Sequence, residues 1–404
     1  MDDLEPRWTG LTAAPNTVAM VIPAPHIHIL AKPTSGTSGT ARYARDLHRM
    51  LRAHGVAASI GSPAPTPRSY ALRRIGQRAG ADLGAFFASY PVRATLPPAD
   101  LYHLTTQTMG TLLLTQRFLR PVIVTVLDII PALVGHDPLL NTHRHALDRW
   151  CYQLALLGLR RAARLIAISE YTRTTLIDTL GIAPEQVQVV YPAVDLSHFR
   201  PCAVPDAVRQ VYGLQPATRY LLYVGSDDPR KNLPRLLQAF ALVQQQHADT
   251  CLLLVGAAQF PQARQHLQTL AKTLGIARRV RWLEYVPEAD LPLVYNASTL
   301  LVLPALYEGF GYPIVEAMAC GVPVVAARAT ALPEVIGDAG ELCDPTDPAD
   351  IARAMLAILD DRAYAAVLRA AGLVRAQYFA PERAVTHMRS LYHSCLSAMR
   401  GTPT

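Results

Sequence analysis

Short apolar runs alternate with stretches of helical periodicity along most of this chain. In the first half the β-rich runs are Thr17–Ile22, Val56–Ile60, Leu101–His103, Val122–Leu127, Leu165–Ile168 and Val187–Val190. In the second half they are Tyr220–Val224, Cys251–Val255, Val280–Leu283, Thr299–Leu303 and Val324–Ala327. Brief apolar runs separated by helical stretches predict parallel strands covered by helices on both faces, an α/β architecture. Each half is expected to form one Rossmann-like sheet. Phe199–Pro205 carries two prolines and reads as the linker. The expected division is 1–200, 201–380 and a final helix over 381–400, where Val385, Met388, Leu391 and Tyr392 recur at helical spacing. Two such domains bring their strand carboxyl ends around a common cleft, where open α/β sheets bind ligands.

The most informative stretch runs from Pro304 to Val325. Glu308 and Glu316 bracket a glycine-rich loop that follows the strand Thr299–Leu303 and feeds a short helix. Gly309 and Gly311 permit close backbone approach to a ligand. Pro313 suits the first helical turn and Gly321 the C-terminal cap. Glu308 is thus expected in the loop and Glu316 in the helix's first turn. A second segment, Gly225-Ser226-Asp227-Asp228-Pro229-Arg230-Lys231-Asn232, follows the strand Tyr220–Val224. It precedes a helix with Leu233, Leu236, Leu237 and Phe240 on one face. Arg230 and Lys231 add their charge to the helix N-terminus, with Asn232 as its expected cap, and this makes a diphosphate site.

On the other side of the expected cleft, Lys32–Thr40 is glycine-rich and precedes a helix with Ala44, Leu47 and Leu51 inward. No lysine follows either glycine, so it is not a P-loop. Asp128 closes the strand Val122–Leu127, and His103 ends another strand. His136, His143 and His145 lie close in sequence, yet no carboxylate–histidine arrangement accompanies them, so no metal site is expected.

These segments resemble the E-x7-E signature of retaining glycosyltransferases of the GT-B fold, in the large family four group. E-G-F-G-x-P-x-x-E-A-M-A-C-G-x-P-V-V is nearly the whole family pattern. The resemblance implies that Glu308 and the backbone of Gly309, Phe310 and Gly311 contact the donor sugar. It implies that Glu316 binds the ribose hydroxyls. Gly225 through Asn232 match the family's G-x-x-x-x-R-K-N segment, whose Arg and Lys neutralise the donor diphosphate. Ser226 stands where many members carry a further Arg. Gly39 matches the first loop that closes over donor and acceptor. Asp128 matches an acceptor-side position, with Leu127 replacing the usual His; His103 is a second acceptor-side candidate. Ser169, the Val190–Asp195 segment and Leu332–Val335 extend the match over most of the chain.

The implied activity is metal-independent, retaining transfer of a hexose from a nucleotide-sugar of the GDP-mannose or UDP-glucose type. Arg230, Lys231 and Glu308 would be the catalytic groups. The R-K-N version is slightly more similar to mannosyltransferases. The acceptor would be a glycan, a lipid-linked oligosaccharide or a small molecule, with no cofactor beyond the nucleotide-sugar. A nucleotide-sugar epimerase, a phosphorylase, and a non-catalytic sugar-nucleotide-binding subunit fit the same residues.

Composition narrows the rest. The 404 residues are half hydrophobic, enough for about two or three cores. The six cysteines form no C-x-x-C pair, which fits reduced thiols rather than a zinc site or disulfide framework. No apolar run reaches the ~18 residues of a membrane span, and the acidic N-terminus lacks a secretory pattern. A cytoplasmic protein is expected. The net charge of +7 suits phosphate groups and an anionic membrane. No nucleic-acid module accompanies it. Arg68, Arg73, Arg74 and Arg78, with Leu72, Ile75, Leu83, Phe86 and Phe87 nearby, form a candidate membrane-surface segment within Pro67–Phe87.

Overall fold

A computed structural model describes residues 24–32, 39–63, 89–135, 137, 140, 146–258 and 261–400. Among the described residues, twelve strands form two six-stranded sheets. The first sheet comprises β1 (Ile27–Leu30), β2 (Ala58–Gly61), β3 (Leu101–Leu104), β4 (Val122–Val126), β5 (Arg164–Ala167) and β6 (Val187–Val189), in the order β2-β1-β3-β4-β5-β6. The second comprises β7 (Arg219–Val224), β8 (Thr250–Val255), β9 (Val280–Leu283), β10 (Leu300–Leu303), β11 (Val324–Ala327) and β12 (Glu341–Cys343), in the order β12-β11-β10-β7-β8-β9. Every strand pairing is parallel. Strands β4, β8, β10 and β11 are buried along their whole length, as parallel strands covered on both faces must be.

The expected first strand, Thr17–Ile22, lies outside the described residues, as do His136, His143, His145 and the Arg68–Arg78 segment. The strand that sits beside β3 is Ile27–Leu30, which the apolar pattern misses because His26 and His28 interrupt it. His28 is nevertheless buried, its Nδ1 hydrogen-bonded to Ser59 Oγ at 2.8 Å. β12 was also not expected; its three residues are too few to show a period.

Strand order decides where a ligand can enter. In the second sheet the chain order reverses between β10 and β7, and in the first between β1 and β3. Loops leaving the carboxyl ends of strands at such a reversal diverge to opposite faces and open a crevice. The loops after β7 and β10 are the Gly225–Asn232 and Pro304–Gly311 segments.

The final helix, Pro381–Arg400, buries Val385, Met388, Leu391 and Tyr392. Its anchor on the first domain is polar. Tyr392 Oη hydrogen-bonds His103 Nδ1 at 2.8 Å, His103 Nε2 hydrogen-bonds Thr125 Oγ1 at 2.7 Å, and Tyr43 Oη meets the same Thr125 oxygen at 3.0 Å. Burial pushes the His103 pKa down to about 3, so the ring stays neutral. A pKa depressed by folding stabilises the protein above the unfolded value of about 6.5, and that stability is lost as pH falls towards 3. Wild-type stability should therefore fall by up to about 1.4 kcal/mol per pH unit more steeply than that of His103→Gln between about pH 6 and 4. Denaturant melts across that range measure the difference; parallel slopes would exclude His103 as the titrating group.

Candidate active site at the interdomain cleft

Each side of the site is built by a loop that leaves a strand end and is pinned by its neighbour. After β7, Pro229–Lys231 forms a 3-10 turn capped by Asp228, whose carboxylate accepts from the Arg230 N–H at 3.1 Å. Asn232 then adopts the left-handed conformation, φ 64°, before the Leu233–Gln246 helix. It does not cap that helix through its side chain, as expected from sequence. Its amide instead donates to the carbonyls of Pro304 at 3.0 Å and Pro345 at 2.6 Å, which ties the β7 loop to the β10 loop. The Leu306 N–H donates to the Arg230 carbonyl at 2.8 Å, and Arg230 Nη1 donates to the Tyr307 carbonyl at 3.3 Å. Lys231 Nζ and Glu308 Oε2 are in direct contact. The two expected motifs are thus joined by hydrogen bonds in both directions.

Glu308 is held by its own backbone. Its N–H donates to Thr330 Oγ1 at 3.0 Å. Burial pushes the Glu308 pKa up, but Lys231 and then Arg230 outweigh it and hold the carboxyl below its ordinary value. The glycines beside it serve different needs. A Cβ at Gly309 would lie 2.3 Å from the Leu127 carbonyl oxygen and 3.2 Å from Asp128 Cβ, so the second domain's loop touches the first domain here. Gly311 takes φ 97° and starts the Tyr312–Ala319 helix, a conformation that favours glycine.

That contact puts Asp128 opposite the cation pair. Its Oδ1 accepts from the Ile130 N–H at 3.1 Å. Burial raises the Asp128 pKa; Arg230 and the Ile130 N–H offset only part of this, and the Glu308 charge adds to the rise. Two carboxylates of opposite tendency therefore face the same arginine, Glu308 held ionised and Asp128 pushed toward its neutral form.

Glu316 departs from expectation. The helix begins at Tyr312, so Glu316 lies in its second turn rather than its first. Its side chain is 1 % exposed. Oε2 accepts from Tyr295 Oη at 2.7 Å, and Oε1 pairs with Arg42 Nη1 at 2.6 Å. Arg42 comes from the Gly39–Ala53 helix of the first domain, and its guanidinium lies 5.3 Å from the Tyr312 ring centre and 5.6 Å from that of Phe199. The ion pair is thus a bridge between domains. A second bridge is Glu334, which accepts from the Glu170 and Tyr171 N–H groups at 2.8 and 3.0 Å and from Tyr191 Oη at 3.0 Å. Its carboxylate sits at the start of the Glu170–Leu180 helix, where the helix dipole favours it.

Other expected residues are placed less directly. Ser226 presents its carbonyl to Tyr223 Oη at 2.7 Å. Gly39 opens its helix in free space, where an added Cβ would meet nothing within 4 Å. The Phe310 ring is buried with Tyr191, Tyr312 and Phe379, which leaves its backbone as the part available to a ligand. His103 is fully buried in the anchor of the final helix and does not face the cleft. Among the described residues no group of three or more His, Cys, Asp or Glu gathers where it could hold a metal ion. No helix among them is long and apolar enough to cross a membrane.

The model of Glycosyltransferase Family 4 matches residues 37–198, and that of Glycosyl transferases group 1 matches residues 206–374. Between them they cover both domains. The chain belongs to the group 1 glycosyltransferases. An O-antigen chain mannosyltransferase B of Escherichia coli is 34 % identical over 252 residues, 61 % of this chain and 65 % of that protein. A D-inositol 3-phosphate glycosyltransferase of Catenulispora acidiphila is 37 % identical over 252 residues, 60 % of each chain. The matches thus span less than two thirds of these relatives' length. Among solved structures, sucrose-phosphate synthase from Thermosynechococcus elongatus superposes with TM-score 0.72 at 22 % identity over 93 % of this chain and all of that one. The Anabaena HepE protein in complex with UDP and glucose gives 0.69 at 20 % over 92 % of this chain and all of that one. At these identities the likeness establishes the fold, which is GT-B.

Proposed function

We propose that this glycosyltransferase moves a hexose, with retention, from a nucleotide-sugar to a hydroxyl acceptor. The observation that carries the reading is the convergence of Arg230, Lys231 and Glu308 at the strand-order reversal, opposite Asp128. In the reaction, the bond between the anomeric carbon and the donor phosphate oxygen breaks, and its electron pair leaves with the nucleotide diphosphate. Arg230, Lys231 and the start of the Leu233–Gln246 helix stabilise that charge as it develops. The acceptor oxygen attacks the same face, and its proton passes to the departing phosphate oxygen. Two side-chain cations supply the charge neutralisation, so the proposed step is metal-independent. Glu308 positions the sugar hydroxyls and is not a nucleophile. Asp128, whose carboxyl burial pushes up, faces the sugar or acceptor from the first domain. Glu316 binds the ribose only after giving up Arg42, so donor entry involves a change at the interdomain bridge.

Donors of the GDP-mannose or UDP-glucose type are proposed; the mannosyltransferase relative and the UDP- and glucose-bound structural neighbour support both. Glycan, lipid-linked and small-molecule acceptors are proposed on the same footing. The test is thermal shift with a panel of nucleotide-sugars, first without metal and then with magnesium. A donor at about a hundred times its Kd should add about 2.7 kcal/mol to stability. That gain should appear without magnesium and vanish in Lys231→Ala. Stabilisation by no donor would overturn the reading.

A further inference from the structure

The Ala146–Leu159 helix buries Cys151, Tyr152, Ala155, Leu156 and Leu159 against the first domain. Its outer face should be polar and is not. Leu147, Trp150 and Leu157 are 51 %, 60 % and 54 % exposed, and Leu154 between them is half-buried. Positions 147, 150, 154 and 157 follow the i, i+3, i+7 rule, so they form one continuous apolar stripe along the helix. Arg149 and Arg160 lie along one edge of that stripe by the same periodicity, and Arg161 follows at its end.

At that end the charge gathers. Arg117, Arg120 and Arg161 line an open pocket of about 490 Å³ whose walls contain no carboxylate. Arg161 is fixed there by donating to the Leu113 carbonyl at 3.2 Å and the Leu114 carbonyl at 3.3 Å. Leu119, between the other two arginines, is 79 % exposed. Across residues 113–121 and 146–164 there are six arginines and one carboxylate, Asp148. Among the described residues, Arg117, Arg120 and Arg149 form no ion pair.

We propose that this face docks on an anionic lipid surface, with the Leu147–Trp150–Leu157 stripe in the interfacial layer and the arginine pocket on a lipid phosphate. An apolar stripe edged by cations is how a helix lies in the plane of a membrane interface, and tryptophan favours that layer. A straight stripe with a flanking cluster of one sign fits a lipid surface, which offers area and negative charge without shape. The inner face of the same helix carries Tyr152, which lies beside Gln107 and feels the charge of Asp128. The Gln107 amide oxygen in turn accepts from the Leu127 N–H at 3.3 Å. The docked helix therefore supports the acceptor side of the cleft, and a lipid-linked acceptor would be presented beside it. The surface stands without the transferase reading; its use for such an acceptor rests on that reading.

The experiment is flotation of the full chain with phosphatidylcholine vesicles, with and without phosphatidylglycerol, at low and high salt. The wild type should float only with the anionic vesicles, and Trp150 emission should shift to the blue. Trp150→Ser with Leu157→Ser should weaken partitioning at least about tenfold. Arg117→Gln with Arg120→Gln should weaken it by about fivefold per charge removed. Thermal melts and turnover on a water-soluble acceptor serve as folding controls and should be unchanged in both double variants. Absence of wild-type flotation at low salt, or flotation of both double variants equal to that of the wild type, would overturn the proposal. So would a wild-type dimer in light scattering that Trp150→Ser with Leu157→Ser dissolves, because the stripe would then belong to a second copy. Vesicle binding without any donor response would leave the surface standing and remove only the transferase reading.

Discussion

Lys231→Ala is expected to lower turnover about 10²- to 10³-fold, with a smaller effect on donor affinity. The reason is where its charge acts. Lys231 contacts Glu308 in the structure, and both stand where the β7 and β10 loops are tied together by Asn232. In the proposed reaction the negative charge on the diphosphate grows as the glycosidic bond breaks, so a fixed cation gains most in the transition state. Removing one such preorganised group typically costs about 3–4 kcal/mol of barrier. Glu308→Ala should act differently. On the proposed reading it leaves the diphosphate cations in place and removes the group that orients the sugar, so turnover should fall while binding of the nucleoside diphosphate alone persists. Single-turnover rates with donor and acceptor, beside calorimetric binding of the diphosphate, separate the two effects. Unaltered turnover in both variants would sink the assignment of this site.

Arg42→Ala should destabilise the protein by about 3–5 kcal/mol, the usual consequence of stripping one partner from a buried ion pair. Glu316 would keep its charge and its Tyr295 contact but lose its only cationic partner among the described residues. Glu316→Gln on the Arg42→Ala background should recover part of the loss, because the uncompensated charge is then gone. A coupling energy of about 0.5–3 kcal/mol between the two positions is expected from denaturant melts of the four combinations. Additive losses would mean that the bridge does not form in solution. The coupling also bears on function. The carboxylate that the E-x7-E resemblance assigns to ribose is the one Arg42 holds, so on the proposed reading donor entry would have to displace Arg42.

The sequence by itself was enough to place ten of the strands' apolar runs, because parallel strands buried on both faces are written as short continuous blocks of Val, Ile and Leu. It also pointed to the Gly225–Asn232 and Pro304–Gly311 loops that the structure ties together. Glycines, prolines and charged residues at strand ends have local reasons to be there, and local reasons are legible in one dimension. Ile27–Leu30 escaped because two histidines break its apolar run, and only the partnership of His28 with Ser59 on the neighbouring strand explains how one of them is buried. Other features were decided by tertiary structure alone. Nothing near Arg42 in the chain points to Glu316, and nothing near His103 points to Tyr392 in the last helix; each pair exists because folding removes both groups from water together and each must then find a partner. Gly309 looked like a residue for ligand approach, yet its missing side chain also makes room for the Leu127 carbonyl of the other domain. The turn of the helix on which Glu316 falls depended on a single left-handed residue, Gly311, which set where that helix could begin.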